Sequence, residues 1–393
     1  MFDFRKIRLI VFASLLSAFP PLTTDMYLPA LPNMVEYFNV PLSVVNLTLM
    51  VFFVFFAASI LFWGPLSDKY GRKPMLIIGT SIFVVGSIGC VFSTHINALI
   101  AFRALQATGG GAAVAISMAI LKDVFGPRER EKALAVVSVI MATAPVISPV
   151  IGAALLSFTS WRGVFVVLTL IGIVSLVSCI FMKETMPQCD DRGIMETLGR
   201  LRIVYTNRSF SFLLFLFSIY ALPIMGFIGT SSNIYINGFG VSEQIFSYYF
   251  ALNAIFFTVG PVIYFFLANK FSQKNIIAYC FAVMFLGGFA TIFFGGISPL
   301  VFTATIIPFS LAGSISKPPT TNMILEQVDK DAGTASSLIG FMFSVFGSFG
   351  IMIASIEWAS RIVALGIMFS LVGLVCLIGW IFIGSTYLAE NKT

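Results

Sequence analysis

Charge is scarce in this 393-residue chain: Asp, Glu, Lys and Arg together make up 10% of it, and there is one histidine. A soluble globular protein carries about a quarter of its residues charged, so the composition excludes one. Cysteine is sparse as well. Cys90, Cys179, Cys189, Cys280 and Cys376 include no C-x-x-C pair, which excludes a disulfide framework or a metal knuckle and leaves buried thiols. There is no H-E-x-x-H stretch and no phosphate-cradling glycine loop, so neither zinc hydrolysis nor ATP-driven work has its residues. His95 falls in an expected outer loop without metal partners. No cofactor and no metal site is expected.

What fills the chain is apolar: 58% of residues are hydrophobic, 43 of them Phe, and the mean hydropathy is +0.99. The apolar runs are about 20 residues long, the length of a membrane-crossing helix, where a barrel strand needs about ten. The expected fold is an all-α integral membrane bundle of about twelve spans. They lie near 8–31, 43–66, 74–94, 97–121, 133–157, 163–182, 209–231, 243–268, 275–297, 299–318, 334–356 and 361–385. The first follows Arg5, Lys6 and Arg8 as a signal peptide would, but no small-residue cleavage site closes it, and it reads as retained.

With the N-terminus inside, every Lys and Arg except Arg103, Arg162 and Arg361 falls in an inward loop, a tail or the inner end of a span. That bias predicts both termini in the cytoplasm, and it makes the net charge of +6 a topology signal with no nucleic acid implied. The longest polar stretch, within 183–208, predicts a cytoplasmic linker between six-helix halves at 1–182 and 209–393. LSDKYGRK at Leu66–Lys73 aligns with LANKFSQK at Leu267–Lys274, about half the chain away, as a duplicated unit requires.

Four motifs carry chemistry. GPLSDKYGRKP, Gly64–Pro74, places Asp68 among Lys69, Arg72 and Lys73; Gly64 and Gly71 suit a sharp reversal, and Pro65 limits the second helix. Asp68 needs a partner, either Arg72 or Lys73 in the same loop or the N-terminus of another helix. In ATAPVISPVIGAAL, Ala144, Ser148 and Gly152 recur every four residues on one face, with Pro145 and Pro149 bending the helix; close packing explains the small residues as well as a hinge does. LIAFRALQATGGGAA holds Arg103 and Gln106 on one stripe, and TTDMYLPALP holds Asp25.

These four stretches, in their order along the chain from TTDMYLPALP to ATAPVISPVIGAAL, resemble the signature motifs of the major facilitator superfamily. TTDMYLPALP is similar to the first-span motif of its bicyclomycin and chloramphenicol resistance (Bcr/CflA) branch of drug:proton antiporters. Ala107, Ser148-Pro149 and Gly152-Ala153 depart from the usual residues but stay small. The resemblance implies alternating access, an inner-gate latch at Gly64, Asp68, Gly71, Arg72 and Lys73, reaching the eleventh span, and a hinge or proton-leak seal at the fifth-span face.

Asp25 and Arg103 are the ionisable groups that fall well inside spans, and such charges face a cavity or each other. Asp25 is the candidate proton carrier; capping TDMYLP near the outer surface is the plainer reading. Each lies about 9 Å of helix rise below the expected outer surface, so one shared site for proton coupling is expected. Tyr27, Gln106, Tyr220, Phe227, Asn233, Phe256 and Tyr264 are candidate lining residues for a substrate cleft, with Asp25 and Arg103 its charged points. Lys317, near the inner end of the tenth span, is expected to snorkel. A proton-coupled exporter of small, fairly apolar compounds follows, monomeric and in the cell membrane, its partners a small-molecule substrate, protons and lipid. The alternative is a transporter of one metabolite on the same fold. An intramembrane protease lacks its second carboxylate, so no enzyme is expected.

Overall fold

The computed structural model describes residues 4–186, 205–328 and 332–390. Cys189, most of the expected linker, and Arg192, Arg200, Arg202, Lys330 and Lys392 lie outside these residues. Among the described residues, twelve helices are long and apolar enough to cross a membrane. They are Lys6–Phe38, Leu42–Tyr70, Arg72–Phe92, Ile96–Val124, Arg128–Leu156, Trp161–Phe181, Arg208–Gly238, Glu243–Leu267, Gln273–Phe294, Pro299–Leu325, Ala335–Ser355 and Arg361–Phe382. They are called the first to twelfth spans below. A helix satisfies every backbone group internally, which is why these apolar runs take no other form in lipid. Side chains close several ends: Asn207, Ser242, Ser272 and Ser298 each accept the backbone N–H three residues on.

The chain divides into two compact units, Met1–Gly199 and Arg200–Thr393. In the first, the first span packs on the fifth, the second and third on the fourth, and the third on the sixth. In the second, the seventh packs on the eleventh, the eighth and ninth on the tenth, and the ninth on the twelfth. One pairing scheme thus serves both units, as the Leu66–Lys73 and Leu267–Lys274 match requires of a duplication.

Several spans run past their expected ends. The first continues to Phe38 because each proline starts a new segment rather than ending the helix. Helix Phe4–Ser17 gives way to Phe19–Asp25, a 3-10 turn at Leu28–Ala30 and helix Leu31–Phe38. Pro65 does not end the second span, which runs to Tyr70. Gly64 is helical with open space beside it, so the reversal falls on Gly71 alone, at φ 101°. The tenth span carries on through Pro318 and Pro319 to Leu325, which puts Lys317 inside it.

Candidate functional site

The first unit gathers most of the motif residues. Asp25 ends the helix Phe19–Asp25, just before the 3-10 turn, and is 8% exposed. Its Oδ1 accepts from the Thr24 hydroxyl at 2.9 Å, and the same hydroxyl reaches the Pro20 carbonyl at 2.9 Å. Among the described residues no cation lies within 4.0 Å of Asp25.

Arg103 is fully buried among aromatic rings, 4.4 Å from the centroid of Phe52, 5.1 Å from Tyr27 and 5.9 Å from Phe165. Its Nη1 donates to the Thr23 carbonyl at 3.2 Å and to Gln106 Oε1 at 2.7 Å, and its Nε to the Thr48 carbonyl at 3.4 Å. Gln106 Nε2 donates on to Ser87 Oγ at 2.8 Å. Arg103 thus touches the carbonyl two residues before Asp25. No ion pair joins the two: the guanidinium turns to carbonyls and ring faces, and among the described residues its Nη2 has no partner. Tyr27 is buried too, its hydroxyl on Thr48, so Tyr27, Arg103 and Gln106 form a packed polar knot inside the unit where a cavity wall was expected.

The fifth-span face packs as its small residues predict. Ala144, Ser148 and Gly152 are buried, and a Cβ on Gly152 would strike the Met26 carbonyl, beside Asp25. Ser148 donates to the Ala144 carbonyl at 2.6 Å. Pro145 and Pro149 lie within one helix, Pro127–Leu156.

At the Gly64–Pro74 loop Arg72 is the hub. Its Nη1 donates to Asp68 Oδ1 at 2.5 Å and Ser67 Oγ at 2.7 Å, and its Nε to Asp123 Oδ2 at 2.8 Å. Of the partners weighed for Asp68, Arg72 is the one found. Glu184 accepts from the backbone N–H groups of Arg72 and Lys73 at 3.1 and 3.0 Å, an acid capping the N-terminus of the third span. Burial pushes the Glu184 carboxyl up, but hydrogen bonds from Met186, Lys73, Thr185 and Arg72 outweigh it and hold the group below its ordinary range. The Lys73 side chain takes no part in this network.

In the second unit, Tyr220 stacks on Phe309 at 5.3 Å and Phe227 on Phe250 at 6.1 Å, both rings buried. Asn233 opens a π-helical turn, Asn233–Gly238, and its Oδ1 accepts from Arg361 Nη1 at 2.8 Å. Phe256 and Tyr264 are half-buried on the eighth span.

The model of the Major Facilitator Superfamily matches residues 13–351. This chain belongs to that superfamily. The transporter is 29% identical over 362 residues to the "uncharacterized MFS-type transporter YdgK" of Bacillus subtilis, covering 87% of each chain. It is 28% identical over 364 residues to the "Bicyclomycin resistance protein homolog" of Haemophilus influenzae, covering 88% of this chain and 89% of the relative. Among solved structures it resembles a bacterial homologue of the lysosomal transporter Spinster at a TM-score of 0.73 and 15% identity, over 100% of this chain and 98% of the other, which is a likeness of fold. It is therefore a multi-pass membrane protein that moves a small molecule, and not an enzyme.

Three features of the transporter escaped the sequence reading. Asp123 and Glu184 complete the Arg72 cluster, and both sit in stretches weighed for their basic residues. Thr24-Asp25-Met26-Tyr27 and Ser232-Asn233-Ile234-Tyr235 are also a repeat, each in the irregular part of its unit's first span. Both tyrosine hydroxyls bond a threonine, Tyr27 with Thr48 and Tyr235 with Thr303. Comparing the seventh span with the first would have exposed it. The second copy has an amide where the first has the acid.

Proposed function

We propose that the transporter is a proton-coupled exporter of small, fairly apolar compounds, working by alternating access in the cell membrane as a monomer with both termini in the cytoplasm. Asp25 is its proton carrier. The observation that carries this reading is the isolation of Asp25: a buried carboxyl in a membrane span, with one hydroxyl partner and no cation beside it among the described residues. Ionisable groups are costly in a span and are kept for pathways and relays.

Thr24 lets the carboxyl change state without a helix moving. Its hydroxyl has one proton and two acceptors within 2.9 Å. With Asp25 charged, that proton points at Oδ1. With Asp25 protonated, the carboxyl O–H donates to Thr24 and the Thr24 proton turns to the Pro20 carbonyl. Arg103 is a fixed cation at the level of Thr23, with Nη2 free to receive a carboxylate or a substrate oxygen in another state of the cycle.

The Arg72 cluster with Gly64, Asp68, Gly71 and Lys73 supports the latch role, and the fifth-span face, lying on Met26, supports the hinge. Tyr220, Phe227, Asn233, Phe256 and Tyr264 remain the second unit's proposed substrate contacts. Similarity to a protein named for bicyclomycin resistance supports compounds of that kind as cargo. The test is uphill export from vesicles under an imposed pH gradient, with bicyclomycin and other uncharged compounds as probes. Asp25→Asn should abolish gradient-driven accumulation while leaving the protein folded; full accumulation by that variant would remove Asp25 from the mechanism.

A further inference from the structure

The tenth span holds a cation that proton coupling does not use. Lys317 sits about 12 Å of helix rise before the end of the span at Leu325, too deep to be a simple end residue. It borders a cavity of about 360 Å³ whose other walls are Pro261, Pro318, Thr321, Asn322 and Leu325. The side chain is exposed beside that cavity. Its ammonium lies 5.4 Å from the centroid of the Phe343 ring, and among the described residues no carboxylate is within 4.0 Å. Glu326, the acid on this segment, is hydrogen-bonded by Asn322 at 2.6 Å.

A second observation lies one turn back on the same face. Gly313 has no side chain, and the Tyr220 phenol fills the space, with its hydroxyl against the glycine. Tyr220 is 7% exposed and its Oη has no hydrogen-bond partner. Ser310, a further turn back, is also buried with an unpartnered hydroxyl. Positions 310, 313 and 317 share one helix face. Lys317, which only donates, stands on it at the cavity, while the two hydroxyls are packed inside the helix bundle away from the cavity wall. Pro261, Pro318 and Leu325 supply apolar surface, and the volume lies at the small end of the roughly 300–1,000 Å³ of ligand sites.

We propose that this face of the tenth span binds small, mostly apolar organic acids, with the carboxylate on Lys317 and the body against Pro261, Pro318 and Leu325. This rests on the transport reading only for what becomes of the ligand, since binding itself needs no gradient.

The test is equilibrium binding of radiolabelled 2-naphthoate to the full-length protein in phosphatidylcholine nanodiscs, with 2-naphthamide as the uncharged comparator. The acid should bind about tenfold more tightly than the amide, the worth of a charge-assisted contact. Lys317→Gln should bring the acid down to the amide's level, and Lys317→Arg should keep most of the preference. Lys317→Met should do the same as the glutamine variant and serves if that one does not fold. Equal affinities in the native protein, or a preference that survives Lys317→Gln, would overturn the proposal. So would a preference that vanishes once the disc contains phosphatidylglycerol, which would assign Lys317 to a lipid phosphate. Absence of gradient-driven export would refute the proton-coupled reading and leave this one standing.

Discussion

The Arg72 cluster makes a quantitative prediction that separates its two acids. Asp68 is 49% exposed and Asp123 12%, while Arg72 itself is 7% exposed. An ion pair with one half-exposed member is worth about 0–1 kcal/mol, because water screens it. Removing one partner from a buried pair costs about 3–5 kcal/mol, because the other charge is stranded. Asp123 is not fully dry, so Asp123→Ala should cost about 2–3 kcal/mol and Asp68→Ala less than 1 kcal/mol. Arg72→Ala strands Asp123 and gives up the Ser67 contact, for about 3 kcal/mol. The Arg72→Ala, Asp123→Ala double variant should cost well under the sum, since the second change removes the stranded charge. Equilibrium unfolding in mixed micelles measures all four. Equal costs for Asp68→Ala and Asp123→Ala, or strict additivity in the double variant, would refute the assignment of Asp123 as the anchor.

Gly152→Ala places a methyl on the Met26 carbonyl and should cost about 1–3 kcal/mol, read as a lower midpoint of thermal unfolding, while Ser148→Ala should cost less. The Glu184 carboxyl, held below its ordinary range by backbone N–H groups, adds stability in full above the unfolded glutamate value of about 4.3 and loses it as pH falls through the lower native value. Glu184→Gln should therefore flatten the acid limb of the stability profile and leave its slope near neutrality alone, as measured by unfolding from pH 7 down to 3.

The spans were legible because lipid allows one solution for a long apolar run, and Lys, Arg and Gly punctuate the runs clearly. Gly64 misled for the same reason. In water Gly64-Pro65 reads as a break, but in a membrane no solvent competes for the backbone, and the helix continues to Tyr70. The stripe of Arg103 and Gln106 was legible as polar; the neighbour it faces was not. That depends on the third span lying so close at Gly86 that a Cβ there would meet the Gln106 backbone, and on the rings of Phe52 and Phe165, distant in sequence. Asp25 was visible as an odd acid in an apolar run, whereas its lack of a cation partner is a fact of packing. Lys317 was placed near the inner end of a tenth span expected to close at 318, yet Pro319 is buried inside a continuing helix.

Proton movement tied to cargo is the sharpest test of Asp25 as the proton carrier. The purified protein is reconstituted in vesicles holding a pH-sensitive dye, an uncharged compound such as bicyclomycin is added on one side, and the dye is followed for the native protein and for Asp25→Asn. The native protein should show a compound-evoked proton flux, opposite in direction to the compound, that the Asp25→Asn variant lacks. Compound movement without proton flux in the native protein, or a flux that persists in Asp25→Asn, would contradict it.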